Sequence, residues 1–119
     1  MSSSTASKPT KYQLSFYVPL PNLEACKAAI FAAGAGRYPG NGNYTEVCYT
    51  IVTGGVGQFR PGEGANPHIG AVGELETVEE AHVETLCVGE DVARRAVAAL
   101  KEAHPYEEVA YQVFKMEDF

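Results

Sequence analysis

From Gln13 to Val18 apolar and polar side chains alternate strictly, with Leu14, Phe16 and Val18 on one side and Gln13, Ser15 and Tyr17 on the other. A period of two residues is that of a half-buried strand. The segment "PLP" ends it, because proline cannot donate to a β-ladder. The period then lengthens. Over "NLEACKAAIFAAGAG", Leu23, Cys26, Ile30 and Ala33 recur at helical spacing, with Asn22 as the expected N-cap and Gly34 or Gly36 as the stop. After the turn cluster "YPGNGN", the β-branched and aromatic run "YTEVCYTIVT" predicts a second strand.

The segment Gly54 to Gly70, "GGVGQFRPGEGANPHIG", has no period and reads mostly as loop, with a short strand around Gln58 and Phe59. Alternation returns in "ELETVEEAHVETLCV", where Ala81, Val83, Thr85 and Cys87 share one face and Glu80, His82, Glu84 and Leu86 the other. "GEDVARRAVAALKEAH" predicts a second helix, whose inner face carries Val92, Ala96, Ala99, Leu100 and Ala103. In "VAYQVFKM", Val109, Tyr111 and Val113 alternate with Ala110, Gln112 and Phe114 to give a last strand. The order β-α-β-β-α-β predicts an α+β, ferredoxin-like fold: an antiparallel sheet with two helices on one face. The other face, expected to carry Tyr17, Val52, Leu86 and Phe114, is too apolar to be fully wet, which points to a homo-oligomer.

The chain has 119 residues, enough for one domain with a modest core. Residues 1–10 lack hydrophobes and are expected to form a disordered tail, leaving residues 11–119 as a single ferredoxin-like domain. The formal net charge is -6, and the only adjacent basic pair is Arg94-Arg95. That balance argues against nucleic acid as a partner and against anionic membrane surfaces. No apolar run approaches membrane-spanning length. Cys26, Cys48 and Cys87 are odd in number and far apart, so neither a disulfide framework nor a thiolate zinc site is expected. Buried thiols and the absence of an apolar signal region predict a cytoplasmic protein.

Three stretches could carry chemistry. In "HPYEE", His104 closes the second helix, where an imidazolium suits the helix dipole, and Pro105 stops it. Capping alone explains both residues. The alternative is a site in which His104 and a neighbouring glutamate bind a metal or exchange protons. In the glycine-rich loop, Arg60 offers a fork for an anion, with Glu63 and His68 nearby in sequence. No Gly-Lys-Ser/Thr is present, so this is not a P-loop. On the third strand, Glu80, His82 and Glu84 alternate on one face, either as a solvated surface or as a metal-binding patch.

Read together, "GAGRYPGNGNY", "GQFRPGEGANPHIG", "GELE" and "HPYEEVAY", in that order, resemble the small inserted domain of the YqfO/Nif-three family, also described as GTP cyclohydrolase type-two homologues. The resemblance runs from Lys11 to Lys115. It implies a PII- and CutA-like unit that associates as a trimer, with small ligands bound in clefts between subunits under the loop that corresponds to Gly54–Gly70. The family's dinuclear metal site lies in flanking parts that have no counterpart in this sequence, so the resemblance does not carry hydrolase activity over. The resulting expectation is a non-enzymatic ligand-binding or regulatory module whose cleft is lined by Arg60, Glu63, His68, His104, Tyr106, Glu107 and Glu108. The resemblance to CutA implies, as an alternative, a divalent metal ion held by His68, His82 and His104. A further alternative is a small metal-dependent hydrolase using His104 and Glu107 as acid and base.

Overall fold

The computed structural model describes residues 8–119. Most of the expected tail, residues 1–7, lies outside the described residues. Strand β1 spans Lys11–Pro19 and is followed by a short 3-10 turn, Leu20–Asn22, and helix α1, Leu23–Ala32. Then come β2 (Cys48–Ile51), β3 (Val56–Phe59), β4 (Glu76–Val88), α2 (Glu90–Ala103) and β5 (Tyr111–Met116). The sheet order is β2-β4-β1-β5, with β3 paired to β4, and every pairing is antiparallel. This is the ferredoxin-like α+β plan.

The short strand at Gln58 and Phe59 is present, but it adds no new topology. Both β2 and β3 pair with β4, and the register shifts by two residues between them. They form one edge strand broken by a bulge around Gly54 and Gly55. The expected second strand is therefore shorter than its β-rich composition suggests, ending at Ile51. Strand β4 is long, at 13 residues. Its C-terminal part pairs with β1 and β2, while Glu76–Glu79 project beyond β2 and carry β3. The result is an arm on a molecule measuring 62 × 27 × 24 Å.

Alternation decides which sheet face is buried. Leu14, Phe16 and Val18 of β1 and Ala81, Val83 and Cys87 of β4 are closed off from solvent under the helices. Cys26 and Ile30 of α1 and Ala93, Ala96 and Leu100 of α2 complete the core. Each large member contributes roughly 1.5–3 kcal/mol on burial. The inner face of α2 is rotated from the expected one: Ala93 is buried, whereas Val92 and Ala99 lie at its margins. Small alanines at the contact let the helix approach the sheet closely.

Helix ends depart in part from the sequence reading. Asn22 sits at the N-cap of α1, but its side chain makes no capping bond, because the 3-10 turn already precedes the helix. At the other end Gly34 stops α1 with φ of 109°. Its N–H donates to Phe31 O, and that of Ala35 donates to Ile30 O, which is a Schellman cap.

The sheet face away from the helices is a grid of cross-strand rows. Ile51, His82 and Tyr17 form one row, and Tyr49, Glu84, Ser15 and Gln112 the next. Leu86, Gln13 and Phe114 form a third. Ile51 and Tyr49 occupy the place expected of Val52, which lies beyond the end of β2. Tyr49 is 65% exposed and Phe114 55%.

A cavity where the loop meets the helix-strand joint as candidate functional site

The end of α2 is fixed by His104. Its backbone is extended, as the residue before a proline prefers, and its N–H still bonds to Leu100 O. The imidazole is only 5% exposed. Nε2 lies 2.7 Å from the carbonyl oxygen of Tyr17, which can only accept, so Nε2 carries the proton. Nδ1 lies 3.1 Å from the backbone N of Tyr106, which can only donate, so Nδ1 is bare. The ring is therefore neutral, and burial pushes its pKa below the usual histidine value. The imidazolium favoured by the helix dipole is overridden by desolvation. Neither nitrogen is free, so His104 can neither ligate a metal nor exchange a proton in this arrangement. It ties β1, α2 and the following joint together.

What His104 positions is Tyr106. The Tyr106 ring lies 4.9 Å from that of His104, 5.9 Å from Phe59 of β3 and 6.4 Å from His68 of the loop. Burial, followed by the negative charges of Glu80 and Glu76, pushes its phenol up to about 12. The hydroxyl is buried with no partner in hydrogen-bonding geometry. Next to it, Glu107 Oε1 accepts from the backbone N–H of Asn66 at 3.0 Å. The loop itself is drawn closed at its base. Arg60 Nη1 donates to Gly73 O and the N–H of Gly73 donates to Pro61 O, both at 2.8 Å. The glycine-rich loop and "HPYEE" thus meet in space.

Between them lies a cavity of about 690 Å³, a size typical of small-molecule sites. Tyr17, Ile51 and His82 form its sheet side, Phe59 and Glu80 the arm side. Arg60 and His68 line it from the loop, and Tyr106, Glu107 and Glu108 from the joint. Of the residues expected from sequence, Glu63 and His104 do not line it. Glu63 is exposed on the loop, and His104 acts from behind.

His82 is held by its neighbours. It pairs across the sheet with Tyr17, ring centroids 4.7 Å apart, and its Nε2 lies 3.0 Å from Glu84 Oε2. Its Nδ1 is buried and unpartnered. The expected metal set is not assembled. Among the described residues no three His, Cys, Asp or Glu side chains stand close enough to hold an ion, and of His68, His82 and His104 the last has both nitrogens engaged.

Lining residues that sequence reasoning did not single out include Tyr17, Ile51, Phe59 and Ala110, and Glu80 stood out only in an alternating row with His82 and Glu84. For Glu80 there was a signal in its neighbours. The N–H of Glu80 donates to the carbonyl oxygen of Gly55, and a Cβ at Gly57 would fall on the Glu80 carboxylate. A glycine at a bulge and another within the adjoining strand mark close approach of another group, and here that group is Glu80. The thiols take no part: burial pushes Cys26 and Cys87 up to about 11. No helix among the described residues is long and apolar enough to cross a membrane.

No protein-family model matches the chain. Curated relatives do. The GTP cyclohydrolase 1 type 2 homolog of Mycobacterium leprae is 42% identical over 101 residues, covering 84% of this chain and 24% of that protein. Its namesake in Bacillus subtilis is 40% identical over 105 residues, covering 88% and 26%. The chain thus spans about a quarter of the length of these relatives. Among solved structures, a Bacillus cereus protein related to NIF3 superposes with a TM-score of 0.76 at 33% identity, over 95% of this chain and 27% of that one. CutA from Xylella fastidiosa superposes with a TM-score of 0.61 at 17% identity, over 92% and 86%. The chain is therefore homologous to one quarter-length portion of the NIF3-related GTP cyclohydrolase 1 type 2 homologues, on a ferredoxin-like fold that it shares with CutA.

Proposed function

We propose that this protein is a ligand-binding module rather than a catalyst, taking a small molecule in the cavity between the Gly54–Gly70 loop and the "HPYEE" joint. One observation carries the reading: two segments far apart in sequence, each unusual in composition, converge on one cavity of about 690 Å³ that includes aromatic rings and charged groups. Concave sites of that kind are where small ligands bind. A catalytic role has less support, because the residue best suited to proton transfer, His104, has both nitrogens engaged. The module works as a homo-oligomer, with a trimer as the expected order from the resemblance to PII and CutA. The exposed apolar residues Tyr49, Ile51 and Phe114 on the open sheet face support self-association. Three unpaired cysteines fit a reducing, cytoplasmic setting.

The site is tested by filling it. Ala110 is exposed and lines the cavity, so Ala110→Trp adds bulk there without disturbing the core. A fragment library is screened by NMR. Saturable shifts are expected at Phe59, Tyr106 and Glu108, and they should vanish in the variant. Hits that cluster elsewhere, or that survive Ala110→Trp, would sink the reading.

A further inference from the structure

The charge inside the cavity narrows the ligand class. Three carboxylates line it: Glu80 from β4, and Glu107 and Glu108 from the joint. Among the described residues none of the three has an ion-pair partner; the ion pairs of those residues involve other side chains. Glu107 gives one oxygen to the Asn66 N–H and keeps the other. Among the described residues the one permanently cationic side chain in the lining is Arg60, and one of its N–H groups is committed to Gly73 O. Neither lysine nor a second arginine among the described residues lines the cavity. The remaining lining includes aromatic rings, Tyr17, Phe59 and Tyr106. Ring faces are electron-rich and attract cations, and three carboxylates on the walls of one cavity give it a negative field that favours a cationic guest. Conversely, a polyphosphate would meet three negative groups and one guanidinium already committed in part to Gly73 O.

The geometry points to a cationic, ring-bearing or otherwise partly apolar amine or amidine as the ligand class of this cavity; we infer this on top of the reading that the cavity is a binding site. Its positive group faces the carboxylate-bearing walls formed by Glu80, Glu107 and Glu108, and its apolar part lies against Phe59 and Tyr106. The glycine at 57 is what makes room for the Glu80 carboxylate on this wall, since a Cβ there would fall on Oε1.

Three probes of one shape and different charge test it: benzamidinium, neutral benzamide and benzoate. Each is titrated into the full-length protein and read by NMR shifts of the cavity residues. Benzamidinium is expected to bind about tenfold more tightly than benzamide, with benzoate weakest. Glu80→Gln combined with Glu108→Gln should erase most of that preference, weakening benzamidinium far more than benzamide. If the three probes bind alike, or benzoate binds best, the charge inference is overturned and the cavity stands as a site for another class. If no probe shifts the cavity residues, or the shifts persist in Ala110→Trp, both the inference and the site reading fail.

Discussion

His104 is the residue on which the joint depends, and its chemistry gives a pH signature. Both ring nitrogens are committed with fixed polarity, Nε2 giving and Nδ1 receiving. A second proton on Nδ1 would face the Tyr106 N–H, donor against donor. The folded-state pKa is accordingly lowered below the ordinary value. Below a pH of about 6.5 the unfolded chain takes up a proton that the folded chain refuses. Stability is therefore full above that value and falls as pH drops towards the folded pKa. Urea midpoints should decline between about pH 7 and pH 5 in the wild type. His104→Gln, which keeps a donor towards Tyr17 but cannot titrate, should flatten that slope. An equal slope in both proteins would mean that the imidazole is not the source. The other charged and titratable groups facing this ring are Glu80 and His68, so the comparison is best repeated with Glu80→Gln.

At the scale of elements, the arm formed by β3 and the start of β4 depends on two glycines that behave differently. A Cβ at Gly55 would approach the Glu80 backbone oxygen to 2.7 Å, and backbone cannot move aside. A Cβ at Gly57 would meet the end of the Glu80 side chain, which can. Gly55→Ala should cost about 1–3 kcal/mol in urea denaturation. Gly57→Ala should cost less and instead move the Glu80 carboxylate, which the ligand titrations would detect. Equal costs would show that the arm yields as a unit. This arm is also where sequence reading stopped working. Strands with one buried face were legible because alternation records burial: Ala81, Val83, Thr85 and Cys87 all turned inward. The broken edge strand Cys48–Phe59 was not, because a glycine bulge leaves no period. One residue of register there exchanged Val52 for Ile51. Of the site, Arg60, His68, Tyr106, Glu107 and Glu108 were legible as members of two odd segments. His104 was legible as important but not in its role. Its partner Tyr17 is 87 residues away and is contacted through a carbonyl that every residue possesses.

The molecule as a whole is one-sided. Helices cover one face of the sheet, while the other presents Tyr49, Ile51 and Phe114. Self-association through that face predicts a concentration-dependent oligomer in sedimentation velocity. Phe114→Glu should shift it to monomer with an unchanged circular dichroism spectrum, since the side chain is exposed in a single chain. A monomer at every concentration in the unaltered protein would remove the oligomer from the proposed function. One further feature bears on how such a unit travels between proteins. Lys11, at the start of the first strand, pairs directly with Met116, at the end of the last, so entry and exit are about 5 Å apart. A fold with its ends side by side can be spliced into a surface turn of a larger host without prying that turn open. The cavity between its loop and joint would arrive intact, as a cassette.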